Sequence, residues 1–440
     1  MNRATPTRRW GVVGGGRPGW WILGAAFLAS AAGAFLQARQ ASLPATSPTS
    51  AVVAQRHPGA RVGLWVQERT ILTPEGVQAA VAMARRIGAD ALFVQVLARG
   101  EAAYRSSIWP PARPAGASSS DGGPARPASA TFDPLAAVLQ EARREPALEV
   151  HAWINAYTWG ELGRRPDQPG HPLARHPEWV TVDASGRSLW EYGVDESPYV
   201  NALFVDPGVE GVRQTVVETV QELVRRYDLD GIHLDYVRYP WSGAGYHPQS
   251  LATFWGGLAL QEVRGPQASP LAAVPGGLRS VDSGRRPSTP EERAAWNLFR
   301  ARQVTLLVER VAAALRAEAP DVELTVAVFP EARRAYEEAL QEWPEWLARG
   351  LVSGLVLMSY TPSDAVVREW VQRATALARG TPIYAGIGAY LLSGRPDQLR
   401  RQSLAALEAG ASGIVYYSFE SLEVEPSLVE ALAPAGASSR

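Results

Sequence analysis

Short apolar runs separated by helix-period segments fill the 440-residue chain from about position 61 onward. Eight runs have the length and the β-branched or aromatic content of buried strands: 62–67, 91–98, 149–157, 231–239, 324–330, 354–360, 383–390 and 413–419. Between them, apolar residues recur with a helical period over 74–87, 134–144, 209–227, 291–319, 337–349, 363–379 and 397–409. Strand–helix alternation of this kind predicts an α/β fold, a (β/α)8 TIM barrel closed by parallel pairing. An open doubly wound sheet is the rival, but it more often carries a glycine-rich phosphate loop after its first strand. None follows 62–67.

The regular spacing is broken by long loops after strands two, three and four. Residues 110–130, rich in Pro, Ala, Ser and Gly, read as a low-complexity spacer. The loop 158–204 carries Trp159, Trp179, Trp190 and Tyr192 and is expected to wall a substrate groove. The insertion 241–290 mixes an aromatic helix at 251–262 with Pro/Gly/Ser-rich chain. All three follow strands, so they belong at the C-terminal face of a barrel, where active-site loops sit. Ahead of the barrel, Arg3, Arg8, Arg9 and Arg17 precede an uncharged run at 20–36. Residues 1–40 therefore read as a signal peptide or an N-terminal membrane anchor, with Ala32 and Ala34 suited to a cleavage site. Cleavage and tethering both stay open, and either places the protein outside the cytoplasm. Residues 41–60 form a linker, and the barrel domain spans 61–435.

Composition narrows the chemistry. The formal net charge is -1, from 43 basic and 44 acidic residues, which supplies no excess to neutralise a phosphate backbone, so no nucleic-acid partner is expected. With no cysteine, thiolate metal sites, disulfides and cysteine nucleophiles are excluded. The 6 histidines form no HExxH pair, and no GxSxG elbow, Walker loop or dinucleotide fingerprint follows a strand. No metal or cofactor is expected, and His171 and His176 read as surface residues. The 15 tryptophans offer flat faces that suit sugar rings as well as cores.

The most pointed stretch is Asp228-Leu-Asp230-Gly-Ile-His233-Leu-Asp235-Tyr-Val-Arg238-Tyr-Pro240. A strand's period of two puts His233 and Asp235 on one face, with Ile232, Leu234 and Tyr236 on the other. The aliphatic face packs on helices, so Asp235 looks inward at the C-terminal end of its strand, where catalytic groups of barrels lie. Asp230, at the start of the strand, reads as structural. The same parity argument yields Gln67, Gln95, Arg99, His151, Asn155 and Tyr360 as inward or rim groups, lined by Trp65, Trp153 and Tyr157. Together with His233 and Arg238 they make a polar funnel beside aromatic rings, suited to an oligosaccharide or polysaccharide.

Further motifs run in order along the chain: Gly63-Leu-Trp-Val, Ala91-Leu-Phe-Val-Gln-Val, Phe132-Asp-Pro-Leu, His151-Ala-Trp-Ile-Asn155, His176-Pro-Glu-Trp, Trp343-Pro-Glu-Trp-Leu and Met358-Ser-Tyr-Thr361. With the strand-four segment they make the chain resemble the glycosyl-hydrolase-like family 10, from roughly residue 61 to 419. The resemblance implies a (β/α)8 barrel, an exported or envelope location, and hydrolysis of glycosidic bonds. For part of the family it implies peptidoglycan strands lacking their peptides as substrate. One departure is Asp206, where the family often has asparagine before Pro-Gly. Such hydrolysis generally needs two carboxyl groups. Asp235 is taken as the first, the nucleophile or base, and Glu331, directly after strand five, as the second, the proton donor, with Glu420, Glu101 and Glu161 as rivals for the acid. A non-catalytic carbohydrate-binding barrel is the alternative.

Overall fold

The computed structural model describes residues 59–113, 132–194, 196, 202–264 and 284–434, leaving out the side chains of 258–264. The expected signal or anchor, most of the linker, most of the spacer 110–130 and the middle of the insertion 241–290 lie outside the described residues. Eight parallel strands form a closed barrel: β1 (Arg61–Val66), β2 (Ala91–Ala98), β3 (Glu149–Asn155), β4 (Gly231–Asp235), β5 (Glu323–Val328), β6 (Gly354–Met358), β7 (Ile383–Gly388) and β8 (Gly413–Tyr417). Each pairs with its sequence neighbour, and β1 closes the ring by pairing with both β2 and β8. The predicted fold is the one observed.

Two side-chain sets hold this ring. Outward residues of the strands, such as Leu64, Val66, Leu92, Val94, Ile232 and Leu234, bury against the helices in one continuous core. Inward residues fill the barrel itself: Trp65, Phe93, Trp153, Val356, Tyr384 and Val415 cluster there. The bulk of Trp65 is accommodated because Gly386 lacks a side chain. A Cβ there would come within 2.7 Å of both the Trp65 ring and the Leu357 carbonyl.

Helices cover the ring at Pro74–Arg86, Pro134–Ala142, Glu210–Arg226, Pro290–Glu318, Asp364–Leu377 and Pro396–Glu408. The longest starts with a capping box, in which the Thr289 hydroxyl accepts from Glu292 N–H and the Glu292 carboxylate accepts from Thr289 N–H. The helix expected at 337–349 is instead two, Ala332–Ala339 and Trp343–Ala348. Pro344 has no N–H to continue a ladder and suits a helix start. Leu340 turns the chain at φ 56°. Buried Gln341 then stitches the break, accepting from Phe329 N–H and donating to the Val237 and Ala327 carbonyls.

The long loop after β3 buries one of its tryptophans fully and leaves Trp179, Trp190 and Tyr192 part-buried. Trp159 is fully buried, packed edge-on against Trp109 at 4.8 Å, and Trp179 stacks on His176 at 4.1 Å. These tryptophans tie the loop into the continuous outer core. Asp206 is the clasp of this region: its carboxylate accepts from the Thr181 and Ser250 hydroxyls and the Gly208 N–H, tying the loop to the insertion. His171 is buried rather than exposed, because Gly100 at φ 72° leaves room for the ring beneath it. Its Nδ1 accepts from Leu173 N–H, so Nε2 carries the proton toward the Arg99 carbonyl.

Candidate active site

The C-terminal ends of the strands converge on Asp235, the last residue of β4. In register beside it on β3 is Asn155, and adjacent strands lie about 4.8 Å apart. A chain of amides sets the orientation of Asn155. Gln95 Oε1 accepts from Glu68 N–H, and Gln95 Nε2 donates to Asn155 Oδ1 at 3.2 Å. The Asn155 amide N–H groups are thereby left for the cleft.

Asp235 is partly buried and forms no salt bridge with any described residue. One carboxylate oxygen accepts from Tyr236 N–H at 2.6 Å. Burial pushes its pKa up to about 6, against the opposing pull of that N–H, the Arg238 charge and the Trp153 indole. A carboxylic acid half-protonated near pH 6 can donate a proton to a leaving-group oxygen. Tyr236 follows at φ 52°, a strained conformation for a residue with a side chain. The strain sits at the point where β4 leaves the ladder.

Aromatic rings surround the acid. Tyr360, Tyr390 and Tyr417 contact one another, with centroids 5.5 to 6.2 Å apart. Burial holds the Tyr417 phenol well above its ordinary pKa, reinforced by Tyr236, Glu420 and Asp235, so it stays a neutral donor. Gln67 Nε2 donates to the Tyr417 oxygen at 3.1 Å, which directs the phenol's own proton elsewhere. The buried Trp153 indole N–H supports the Asp235 carboxylate. The cleft therefore presents an acid, the Asn155 amide and Tyr417 hydroxyl as donors, and ring faces, the pattern that binds sugar hydroxyls.

The sequence-derived funnel assembles only in part. Asp235, Gln95, Asn155, Trp153 and Tyr360 come together as expected. Arg99 stands at the rim, ion-paired to Glu68 and to Glu161, the latter at 3.5 Å. His233 is inside the barrel below the cleft, with both nitrogens engaged: Nε2 accepts from the Trp65 indole at 3.2 Å, so Nδ1–H donates to Thr325 Oγ1 at 2.9 Å. It braces the floor and is not free for substrate. Tyr157 is fully buried in the outer core near Arg213 and Asp206. Its parity with Asn155 fails because β3 ends at Asn155, after which alternation no longer applies.

Glu331 is also held elsewhere. Strand β5 ends at Val328, the chain turns at Phe329 and Pro330, and Glu331 begins a helix with its carboxylate 3.6 Å from Arg373 of the outer layer. Glu101 is bound by Arg113 and Gln168, and Glu161 by Arg99 and Arg164. Glu420 remains at the rim. It is buried, with Oε1 accepting from Gln67 N–H at 2.9 Å and Thr70 Oγ1 at 2.6 Å, while Oε2 has no partner. Tyr417 and Tyr390 were missed at the sequence level, although inward parity from Val415 points to Tyr417.

A closed (β/α)8 barrel with an elevated-pKa carboxyl and a tyrosine-lined cleft at its C-terminal face defines a protein of the glycoside-hydrolase-like class. The chain belongs to the family described as Glycosyl hydrolase-like 10, whose model matches residues 62–395. Among curated relatives, glycosyl hydrolase YngK of Bacillus subtilis (strain 168) is 29% identical over 164 residues, 37% of this chain and 27% of that protein. Glycosyl hydrolase DigH of Escherichia coli (strain K12) is 22% identical over 348 residues, 72% of this chain and 65% of that protein. The chain thus spans less than two thirds of either relative. Among solved structures, the PgaB (BpsB) glycoside hydrolase domain from Bordetella bronchiseptica superposes with a TM-score of 0.59 at 14% identity, covering 86% of this chain and 99% of that one. A β-galactosidase from the psychrophilic Marinomonas ef1 gives 0.52 at 13% identity, over 81% of this chain and 54% of that one. At these identities the likeness is one of fold.

Proposed function

We propose that this protein is an exported glycoside hydrolase acting on a polysaccharide of the bacterial envelope or its surroundings, with peptide-free peptidoglycan strands as the leading substrate. The observation that carries the reading is Asp235: an unpaired carboxyl raised to about 6, at the strand end of a barrel and ringed by tyrosines. In this reading Asp235 protonates the glycosidic oxygen as the bond to the leaving sugar breaks. The Asn155 amide and the Tyr417 hydroxyl hold sugar hydroxyls beside it. We assign the second carboxyl role to Glu420, a described rim glutamate with an unengaged oxygen; it either takes a proton from the water that attacks the anomeric carbon or forms the glycosyl-enzyme bond that water then cleaves. Export rests on the basic, then apolar, character of residues 1–40, and the peptidoglycan substrate on the family resemblance.

The test is hydrolysis of a glycan panel that includes peptide-free peptidoglycan strands, chitin oligomers and α- and β-glucans, with Asp235→Asn alongside. Release of fragments by the wild type alone supports the reading. Retention of one glycan by both proteins without cleavage replaces it with a carbohydrate-binding barrel.

A further inference from the structure

Gln95 sits at a change of register. β2 and β3 pair residue for residue as far as Gln95 and Trp153, then resume at Leu97 and Ile154, so Val96 is an extra residue in β2. Its carbonyl accepts from Ala103 N–H at 2.9 Å, outside the β2–β3 ladder. A bulge of this kind re-aims the side chain beside it, and bulges collect next to active sites. Two residues earlier, the same inward face of β2 carries Phe93, packed among apolar rings. Packing alone therefore asks for no amide here, and a buried amide costs free energy unless both its ends are bonded.

Both ends are bonded, and in a fixed sense. A backbone N–H can only donate, so the Gln95 atom facing Glu68 N–H is the oxygen, at 3.4 Å. The other end is then Nε2, which donates to Asn155 Oδ1 at 3.2 Å. Glu68 is itself held, because its carboxylate pairs with Arg99 and nearby Ile71 is fully buried. Gln95 and Asn155 are each 7% exposed, so water is poorly placed to replace either bond. Asn155 lies in register beside Asp235, and what it offers the cleft is Nδ2–H. We propose that Gln95 is a positioning residue that fixes the polarity of the cleft. Through Asn155 it presents a donor, never an acceptor, beside Asp235, and so selects a substrate oxygen with a free lone pair at that point. This rests on the glycoside-hydrolase reading above.

Gln95→Glu tests it, because a carboxyl group changes polarity with protonation. Protonated, it accepts from Glu68 N–H and donates its hydroxyl to Asn155 Oδ1, as the amide does. Ionised, it can only accept, so the Asn155 amide turns over and presents Oδ1 to the substrate. The full-length Asp235→Asn protein allows binding to be measured without turnover, on peptide-free peptidoglycan strands, chitin oligomers and α- and β-glucans. For the glycan it retains, adding Gln95→Glu should change affinity less than about twofold at about pH 4.5, where burial keeps the new carboxyl protonated. At about pH 8 it should weaken binding about 10–100-fold. The charged groups around this turn, Glu68, Arg99, Glu161 and Glu420, are common to both proteins, so the parent is the reference at each pH. On an Asn155→Ala background the pH-dependent loss should vanish. A loosened fold or a charge acting through space would leave it in place, so a loss that persists there overturns the inference, as does equal binding at pH 8.

Gln95→Met keeps the shape without the charge and lets Asn155 turn either way. It should weaken binding about 3–10-fold at both pH values. Undiminished affinity overturns the inference even where Gln95→Glu fails to fold. Melting temperatures of Gln95→Met and Asn155→Ala, singly and together, give a reading free of ligand. Strictly additive shifts mean that the two amides do not act as a unit, and overturn the inference. Shifts short of additive, with no glycan retained or with retention and no turnover by the wild type, uphold the amide relay and remove the hydrolase reading.

Discussion

The two mouths of the barrel use the same residue types in opposite ways. At the N-terminal mouth, Arg61 donates from Nη1 to Glu323 at 3.0 and 3.1 Å and to the Tyr384 hydroxyl at 3.2 Å, while Nη2 meets Glu149. Asp230 accepts from Val150 N–H and from Arg143, at 2.7 and 2.9 Å. At the C-terminal mouth Asp235 and Arg238 each lack an ion-pair partner, although each feels the other's charge. Paired charge at the start of the strands satisfies the fold. Unpaired charge at their ends costs stability, a cost that a bound ligand would offset.

Asp235→Asn should break the comparison most strongly, lowering turnover about 1,000-fold or more, since it removes the proton donor. It should not unfold the protein. Because the folded pKa is raised, the native state holds this proton more tightly than the unfolded chain. Stability contributed by that proton is present at low pH and is lost as pH rises from about 4 to about 6. Above that window the wild type carries a constant penalty on the order of 1–3 kcal/mol that asparagine removes. Thermal melts at pH 4 and pH 7 check this: a variant no more stable than wild type at pH 7 would contradict the buried acid. In the same enzyme, kcat/KM should fall as pH passes about 6 and the donor deprotonates. Arg238→Gln withdraws a charge that favours the anion, so it should move that fall to higher pH.

Smaller losses are expected from the groups that hold the sugar. Tyr417→Phe and Asn155→Ala each remove one donor and should lower kcat/KM about 10–100-fold with little change in melting temperature. Glu420→Gln should match the larger of these or exceed it, and activity at wild-type level would remove Glu420 from the chemistry.

The barrel was legible because both of its faces are written in the sequence: outward aliphatic residues for the helices, inward aromatics and polar groups for the interior. The ends of the strands were not. Apolar composition runs on past the ladder, so 149–157 and 324–330 were read as strand where pairing stops at Asn155 and Val328. Two-residue alternation carried beyond Asn155 is what placed Tyr157 in the cleft, and a strand carried on to 330 is what placed Glu331 at its end. Alternation does hold as far as Asp235, because it is itself the last paired residue of β4. The tyrosine ring and the unpaired state of Arg238 depend on contacts between distant segments, which no local pattern carries.

Arg61→Met tests the N-terminal mouth. It should leave turnover unchanged and lower stability by about 1 kcal/mol, because the network is partly solvated and such pairs contribute modestly. A loss of activity would mean that the two mouths are coupled through the interior column of His151, Phe93 and His233, whose rings are in contact at 4.7 and 5.0 Å.

Glu331→Gln should have the smallest effect of all. Its partner Arg373 has a side chain 64% exposed, and an exposed pair at 3.6 Å contributes about 0–0.5 kcal/mol. Turnover within about twofold of wild type, and a melting temperature shifted by less than a degree or two, would leave Asp235 without help from β5. A loss comparable to Asp235→Asn would mean that the turn at Phe329 and Pro330 opens when sugar binds and brings Glu331 inward. That movement would have to release the Phe329 N–H from Gln341 and the Phe329 carbonyl from Trp343. Two part-buried hydrogen bonds stand against it. The sharpest version of the test is therefore kinetic, with the Glu331 variant assayed on the substrate that Asp235 cleaves best.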